Sequence, residues 1–462
     1  MGMRGSNLFV IFRESQLLIS HKLSNMANIK NSTDVSRRGF IRKTAFACVG
    51  FPFFKPGLKS SFAADLVTNK KTMVQKLSNT SIIGAYGQWA ASLLEDPSEL
   101  SFRNTKWHAL ENWKSKAYKK VNDCIAQPSI QRSTEVVTHK AYTYDDLEIE
   151  EVSWQLSNGG GATEAYVLKP KGAKEPLPAI LALHDHGGNK YFGKRKIVRT
   201  SEEHHPLIEE HQGQYYEGLA WANEIAKRGY VVMVHDTFVF GSRRILYNDV
   251  EGILWGHCHL NGQKDGFPEN AKNIEAYNNW ASEHEHILSK SLFCAGTTWP
   301  GVVLAEDRIA LDVLCNRNDV DSKNVGCAGL SGGGLRTVYL GGLDERIKCA
   351  VSVGFMSTWK DFIMHKSFTH TWMLYAPLIS RFLEFPEIMG LRTPLPTMVQ
   401  NNEEDQLFTL SEMKKADVIL QDVFKKANAS ENYVGKFYGG PHKFDAEMQS
   451  DAFDWFDRWL NR

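Results

Sequence analysis

The residues best suited to chemistry stand in Gly329-Leu330-Ser331-Gly332-Gly333. A serine hydroxyl is a weak nucleophile near neutral pH and needs a base to take its proton. Before it runs the small, apolar stretch Asn324 to Ala328, and after it Gly334 to Leu340 can continue as a helix. A strand–turn–helix of this kind pushes the hydroxyl out at the carboxyl edge of a sheet. Glycines at 329 and 333 remove side chains that would clash across so tight a turn. The same pattern also occurs in ordinary glycine-rich turns, so the reading depends on partners elsewhere.

The base is usually histidine, oriented by a carboxylate. His442, in Gly439-Gly440-Pro441-His442-Lys443-Phe444, is the only histidine after His370 and follows a strand-like run. The acid belongs in Asn401-Asn402-Glu403-Glu404-Asp405-Gln406-Leu407-Phe408, after another such run. Asp405 is favoured because Asp-x-Leu-Phe stands just before a helix; Glu404 is the alternative. Stabilising a developing oxyanion needs two N–H donors. Gly332, next to the serine, offers one. The loop Leu183-His184-Asp185-His186-Gly187-Gly188 offers the other, from His186 or, next, Gly187. His184, Asp185 and His186, with His257, His259, His284 and His286, make the chain look histidine-rich. No zinc-type spacing occurs among them, so neither metal nor other cofactor is expected.

The elements around these residues predict an α/β fold. Leu147 to Leu156 alternates as a half-exposed strand, Gly159-Gly160-Gly161 turns the chain, and Ala162 to Leu168 pairs back. Buried strands at Pro178–Leu183 and Tyr230–Val234 flank a helix over Gly218–Arg228. A helix over Gly301–Arg317, the elbow strand, strands at Ile347–Phe355, Pro394–Gln400 and Tyr433–Tyr438, and helices at Ser411–Lys426 and Ala446–Leu460 follow. Apolar strands alternating with helices imply a mostly parallel sheet covered on both faces. Ser81 to Gln127 carries apolar residues at helical spacing and predicts a helical N-terminal extension over 64–143. The catalytic domain is assigned to 144–462, with polar, aromatic insertions at 239–300 and 356–385 placed to decide the substrate.

The first 63 residues read as an address. Ser36-Arg37-Arg38-Gly39-Phe40-Ile41-Arg42-Lys43 is similar to a twin-arginine export motif; an apolar stretch from Thr44 to Phe54 and the small-x-small site Ser61-Phe62-Ala63 follow. The apolar stretch is too short for a stable membrane span. The expected destination is the periplasm or the medium, reached through the twin-arginine machinery, and Met26 is the expected start. With 462 residues, a net charge of +1, 42% hydrophobic and 23% charged residues, the chain is an ordinary globular one with no electrostatic footprint for nucleic acid. Seven cysteines form no C-x-x-C pair; Cys48 lies too near the arginines to be a lipoprotein cysteine, and Cys258 with Cys294 is the one pair considered for a disulfide.

Taken in order, several pieces carry a resemblance. They are Leu183–Gly188, His235-Asp236-Thr237-Phe238-Val239-Phe240-Gly241-Ser242-Arg243-Arg244, the stretch Asp307 to Leu314 leading to Gly329–Gly333, and Gly440-Pro441-His442. From about Tyr144 onward the chain resembles α/β-hydrolases of the dienelactone hydrolase superfamily, in its acetyl xylan esterase-like branch. The resemblance implies ester hydrolysis by Ser331, Asp405 and His442. Serine replaces the cysteine of a dienelactone hydrolase proper, which favours esters over enol lactones. The expected substrate is a small-molecule or oligosaccharide ester, such as an acetylated sugar. Arg243, Arg244 and Trp299 either line its site or serve as an ion pair and core packing. A serine peptidase of the same fold and a non-catalytic carbohydrate-binding relative are the alternatives.

Overall fold

A computed structural model describes residues 80–461. The export motif, the apolar stretch after it, the cleavage site, Met26 and Cys48 lie outside the described residues. Nine strands form one sheet in the order β1-β2-β3-β5-β4-β6-β7-β8-β9. The first three strands, β1 (Val137–Tyr144), β2 (Leu147–Trp154) and β3 (Thr163–Pro170), pair antiparallel, and β3 pairs antiparallel with β5 (Val231–His235). From β5 through β4 (Leu177–Ala182), β6 (Val320–Leu330), β7 (Ile347–Val353), β8 (Thr397–Asn402) and β9 (Tyr433–Tyr438), every pairing is parallel.

Alternation along the central strands divides the core in two, since successive side chains point to opposite faces. Ala179, Leu181, Val231, Met233, Val325, Cys327 and Ala350 face one side. There they meet α1 (Leu110–Ile125), α5 (Trp299–Cys315), α6 (Gly332–Leu343), α7 (Phe385–Gly390) and α8 (Leu410–Lys426). Ile180, Ala182, Val232, Val234, Cys349 and Val351 face the other, against α2 (Pro206–Tyr216), α3 (Trp221–Lys227) and α9 (Ala446–Leu460). The 24-residue helix α4 (Ala271–Cys294) lies within the first insertion.

Three expectations need correction. The sheet begins at Val137, inside the segment assigned to the helical extension; β1 is an exposed edge strand, so its sequence lacks an apolar face. Ser81–Gln127 is not continuously helical. Beyond short turns at Gly84–Tyr86 and Gly87–Ala91, its helix is confined to α1, and the chain between is held by tertiary contacts, such as Trp113 Nε1–H to the Leu100 carbonyl at 2.6 Å. Cys258 and Cys294 are both free thiols. Among the described residues no helix is long and apolar enough to cross a membrane.

Candidate active site

The sheet order brings together loops distant in sequence. β4 and β6 are parallel neighbours, and the Leu183 N–H continues their ladder to the Ala328 carbonyl at 2.8 Å. Residues after β4 therefore lie beside the turn after β6. β8 and β9 are likewise neighbours, and their loops stay paired through Glu403 N–H to Tyr438 O and Glu404 N–H to Gly440 O. All four loops leave carboxyl ends of parallel strands, where open α/β sheets place ligands.

At the first turn Ser331 has φ +58° and ψ −116°. Left-handed backbone at a serine costs about 1–3 kcal/mol and is retained where surrounding structure imposes it. The imposing contacts are close. A methyl group on Gly329 or Gly333 would run into the Leu183 carbonyl, and the Ser331 N–H donates to Val353 O at 2.9 Å. Helix α6 is anchored by Arg336, whose guanidinium meets Asp307 at 2.7 and 3.1 Å and the His184 carbonyl at 3.4 Å. His235 Nε2 completes this buried group at 2.9 Å from Asp307. Burial alone would raise the Asp307 carboxyl, but Arg336 and His235 hold it down at about 2.

His442 Nδ1 and Asp405 Oδ2 are 2.6 Å apart. Asp405 is 4% exposed, and its other oxygen accepts the Leu407 N–H at 2.8 Å. Glu404 is exposed, and Glu403 pairs with Lys414 at 3.1 Å, so neither reaches the ring. The His442 ring lies over Gly354, where an added Cβ would fall 2.8 Å from Cε1 and 3.1 Å from Nδ1. Gly354 follows Val353, which holds the Ser331 N–H; the imidazole and the serine thus meet the same dipeptide. His442 Nε2 is buried and makes no hydrogen bond among the described residues.

The expected oxyanion donors also converge. An added Cβ on Gly332 would lie 2.8 Å from the His186 nitrogen, and neither N–H has an acceptor among the described residues. The His186 carbonyl is held from beneath by the buried Lys196 ammonium at 3.1 Å, which also reaches the carbonyls of Asn189, at 3.1 Å, and Asp185. Burial brings Lys196 down to about 8. The Asp185 carboxylate takes His211 Nε2 at 3.1 Å and Tyr216 O–H at 2.6 Å. Among the described residues no group of three His, Cys, Asp or Glu side chains is placed to share a metal ion.

The three residues named as substrate contacts are otherwise engaged. Arg243 is buried against Glu306 at 2.7 Å and bonds Gly159 O at 2.8 Å, pinning the β2–β3 turn; it is a structural ion pair. Trp299 is 1% exposed and belongs to the core. Arg244 is half-buried, with its guanidinium over the Tyr191 ring at 4.7 Å and bonded to Gly241 O.

Sequence reasoning passed over Gly354, His370, Lys196 and Glu285. His370 Nε2 meets Leu407 O at 3.1 Å, and Thr369 Oγ1–H reaches the same carbonyl at 3.1 Å, so the second insertion braces the acid's loop. Burial lowers the His370 ring to about 3, which keeps it neutral. A glycine ending an apolar strand, as in Val353-Gly354-Phe355, was the one available signal; the others are long-range partners.

The fold and the placement of these loops are those of the α/β-hydrolase class. No protein-family model matches the chain. Over 304 residues it is 23% identical to "Putative hydrolase YtaP" of Bacillus subtilis (strain 168), covering 66% of this chain and 85% of that protein. Its fold is similar to the crystal structure described as a putative acetyl xylan esterase from Bacteroides fragilis NCTC 9343, with TM-score 0.58, 16% identity, and 77% and 83% of the two chains covered. It is also similar to a methylesterase, with TM-score 0.50, 16% identity and 76% and 64% covered.

Proposed function

We propose that this protein is a serine esterase that hydrolyses carboxylic esters, with acetyl esters on polysaccharide fragments or acylated sugars as its substrates. Ser331 Oγ attacks the ester carbonyl while His442 Nε2 takes its proton. Asp405 holds the ring through Nδ1 and balances the charge formed on it. The N–H groups of Gly332 and His186 receive the oxyanion. His442 then protonates the leaving alcohol, and water, activated by the same imidazole, releases the acid from the acyl-enzyme. The observation carrying this reading is the 2.6 Å His442–Asp405 contact, set over the dipeptide that also fixes the strained Ser331. The hydrolase name of the Bacillus subtilis relative and the esterase names of the two similar structures support it. The protein acts in the periplasm or outside the cell, exported folded by the twin-arginine machinery; the six free thiols among the described residues accord with that.

The test is aryl acetate hydrolysis by the purified chain. Ser331→Ala abolishes turnover on this reading, and wild-type turnover in that variant sinks it. Release of an arylamide in preference to the matching ester assigns the protein to the peptidases instead.

A further inference from the structure

Helix α4 of the first insertion grips the oxyanion loop at two points two turns apart. Asn278 Oδ1 accepts the N–H groups of Lys190 and Tyr191 at 2.9 and 3.0 Å. Seven residues on, Glu285 Oε1 meets His186 Nε2 at 2.9 Å and the Lys190 ammonium at 2.5 Å. Its other oxygen accepts the Thr371 hydroxyl at 3.0 Å, so this one buried carboxylate ties both insertions to the loop.

The ring's own bonds define its state. The Gly188 N–H donates to His186 Nδ1 at 3.1 Å, so that nitrogen is bare and the hydrogen is on Nε2, facing Glu285. Burial and the Lys190 ammonium push the ring below its usual value, which preserves this neutral tautomer. Burial would raise the Glu285 carboxyl, but the His186 N–H and Lys190 outweigh it and hold it ionised. The side chain of His186 is thus fixed at both nitrogens and its carbonyl is fixed by Lys196. Only its backbone N–H is left without an acceptor, beside Gly332.

We propose that Glu285 is the positioning residue of the oxyanion hole, orienting the His186 backbone N–H by holding the His186 ring. The proposal rests on the serine esterase reading of the same site. A donor displaced by a fraction of an ångström stabilises the tetrahedral oxyanion less while ester binding is little changed, and such misplacement costs up to about a hundredfold in rate.

The experiment compares Glu285→Ala and Glu285→Gln in the full chain, using an aryl acetate and an aryl trifluoromethyl ketone. Ser331 Oγ adds to the ketone carbon, its proton passes to His442, and the ketone oxygen becomes an oxyanion in the hole. The expected result for Glu285→Ala is a kcat lowered about tenfold to a hundredfold with KM nearly constant, and ketone affinity weakened by a similar factor. Glu285→Gln recovers most of both, because its amide oxygen still accepts from Nε2–H. Where Glu285→Ala fails to fold, His186→Asn removes the ring but keeps the backbone donor. It gives the same paired loss, and Glu285→Gln adds nothing to it. Wild-type kcat and ketone affinity in Glu285→Ala or His186→Asn, or a Gln variant as impaired as Ala, overturns the proposal. Ser331→Ala keeps the two claims apart: if it is inactive while Glu285 variants are unimpaired, only the positioning role fails.

Discussion

Gly354→Ala tests the geometry at the centre of the site without replacing any residue that reacts. The new methyl would fall 2.8 Å from His442 Cε1 and 3.1 Å from Nδ1, whereas ordinary contact begins near 3.4 Å. The ring must therefore retreat by about 0.6 Å or give up its hydrogen bond to Asp405. A displacement of 1 Å at a catalytic group can cost about a hundredfold, so kcat for an aryl acetate should fall about tenfold to a hundredfold. The same change places a Cβ on backbone at φ +58°, which costs about 1–2 kcal/mol of stability. Gly172→Ala separates the two effects. Gly172 has φ +78° in a surface turn with nothing within 4 Å of an added Cβ. It should lose comparable stability by thermal melting and keep its kcat. If Gly354→Ala, measured as folded protein, turns over at the wild-type rate, His442 is not where the reaction needs it and the argument fails.

Further tests address the acid, the arginine and a buried carboxyl. Asp405→Asn should lower kcat by about ten-thousandfold, whereas Glu404→Gln, at an exposed site, should leave it unchanged; the reverse order in steady-state kinetics would assign the acid to Glu404. Arg243→Met strands Glu306 in the interior and should cost about 3–5 kcal/mol in denaturant melts, while turnover per folded molecule stays constant. A selective rise in KM would restore Arg243 to substrate binding. Burial raises Glu384 to about 7, above its unfolded value, so its favourable contribution is present in acid and lost as pH rises through 7. Glu384→Gln should therefore gain unfolding free energy over wild type as pH rises from 5 to 8, by up to about 3 kcal/mol in denaturant melts; a difference independent of pH would refute the assignment.

Local rules made the elbow readable. Gly329 and Gly333 must be glycine because the Leu183 carbonyl occupies the space of a side chain, and that requirement is written in the sequence. The parallel core was readable for a similar reason, since strands buried on both faces are continuous apolar runs. β1 was not: at the sheet's edge, Val137–Tyr144 is mostly exposed and has no apolar side to show. Helix α2 was missed because its buried face sets His211 and Gln212 between Ile208 and Tyr216, which breaks the apolar spacing. Ser331, Asp405 and His442 could be named from their order along the chain. Glu285, 99 residues from the His186 it holds, could not, because only the fold pairs the first insertion with the loop after β4.

The central claim is that Ser331 is the nucleophile. Its most direct test is the mass of the folded protein after reaction with a fluorophosphonate, followed by peptide mapping. The account predicts one adduct, located on Ser331 and absent from Ser331→Ala. An unlabelled Ser331, or an adduct on another residue in protein that hydrolyses aryl acetates, would contradict it.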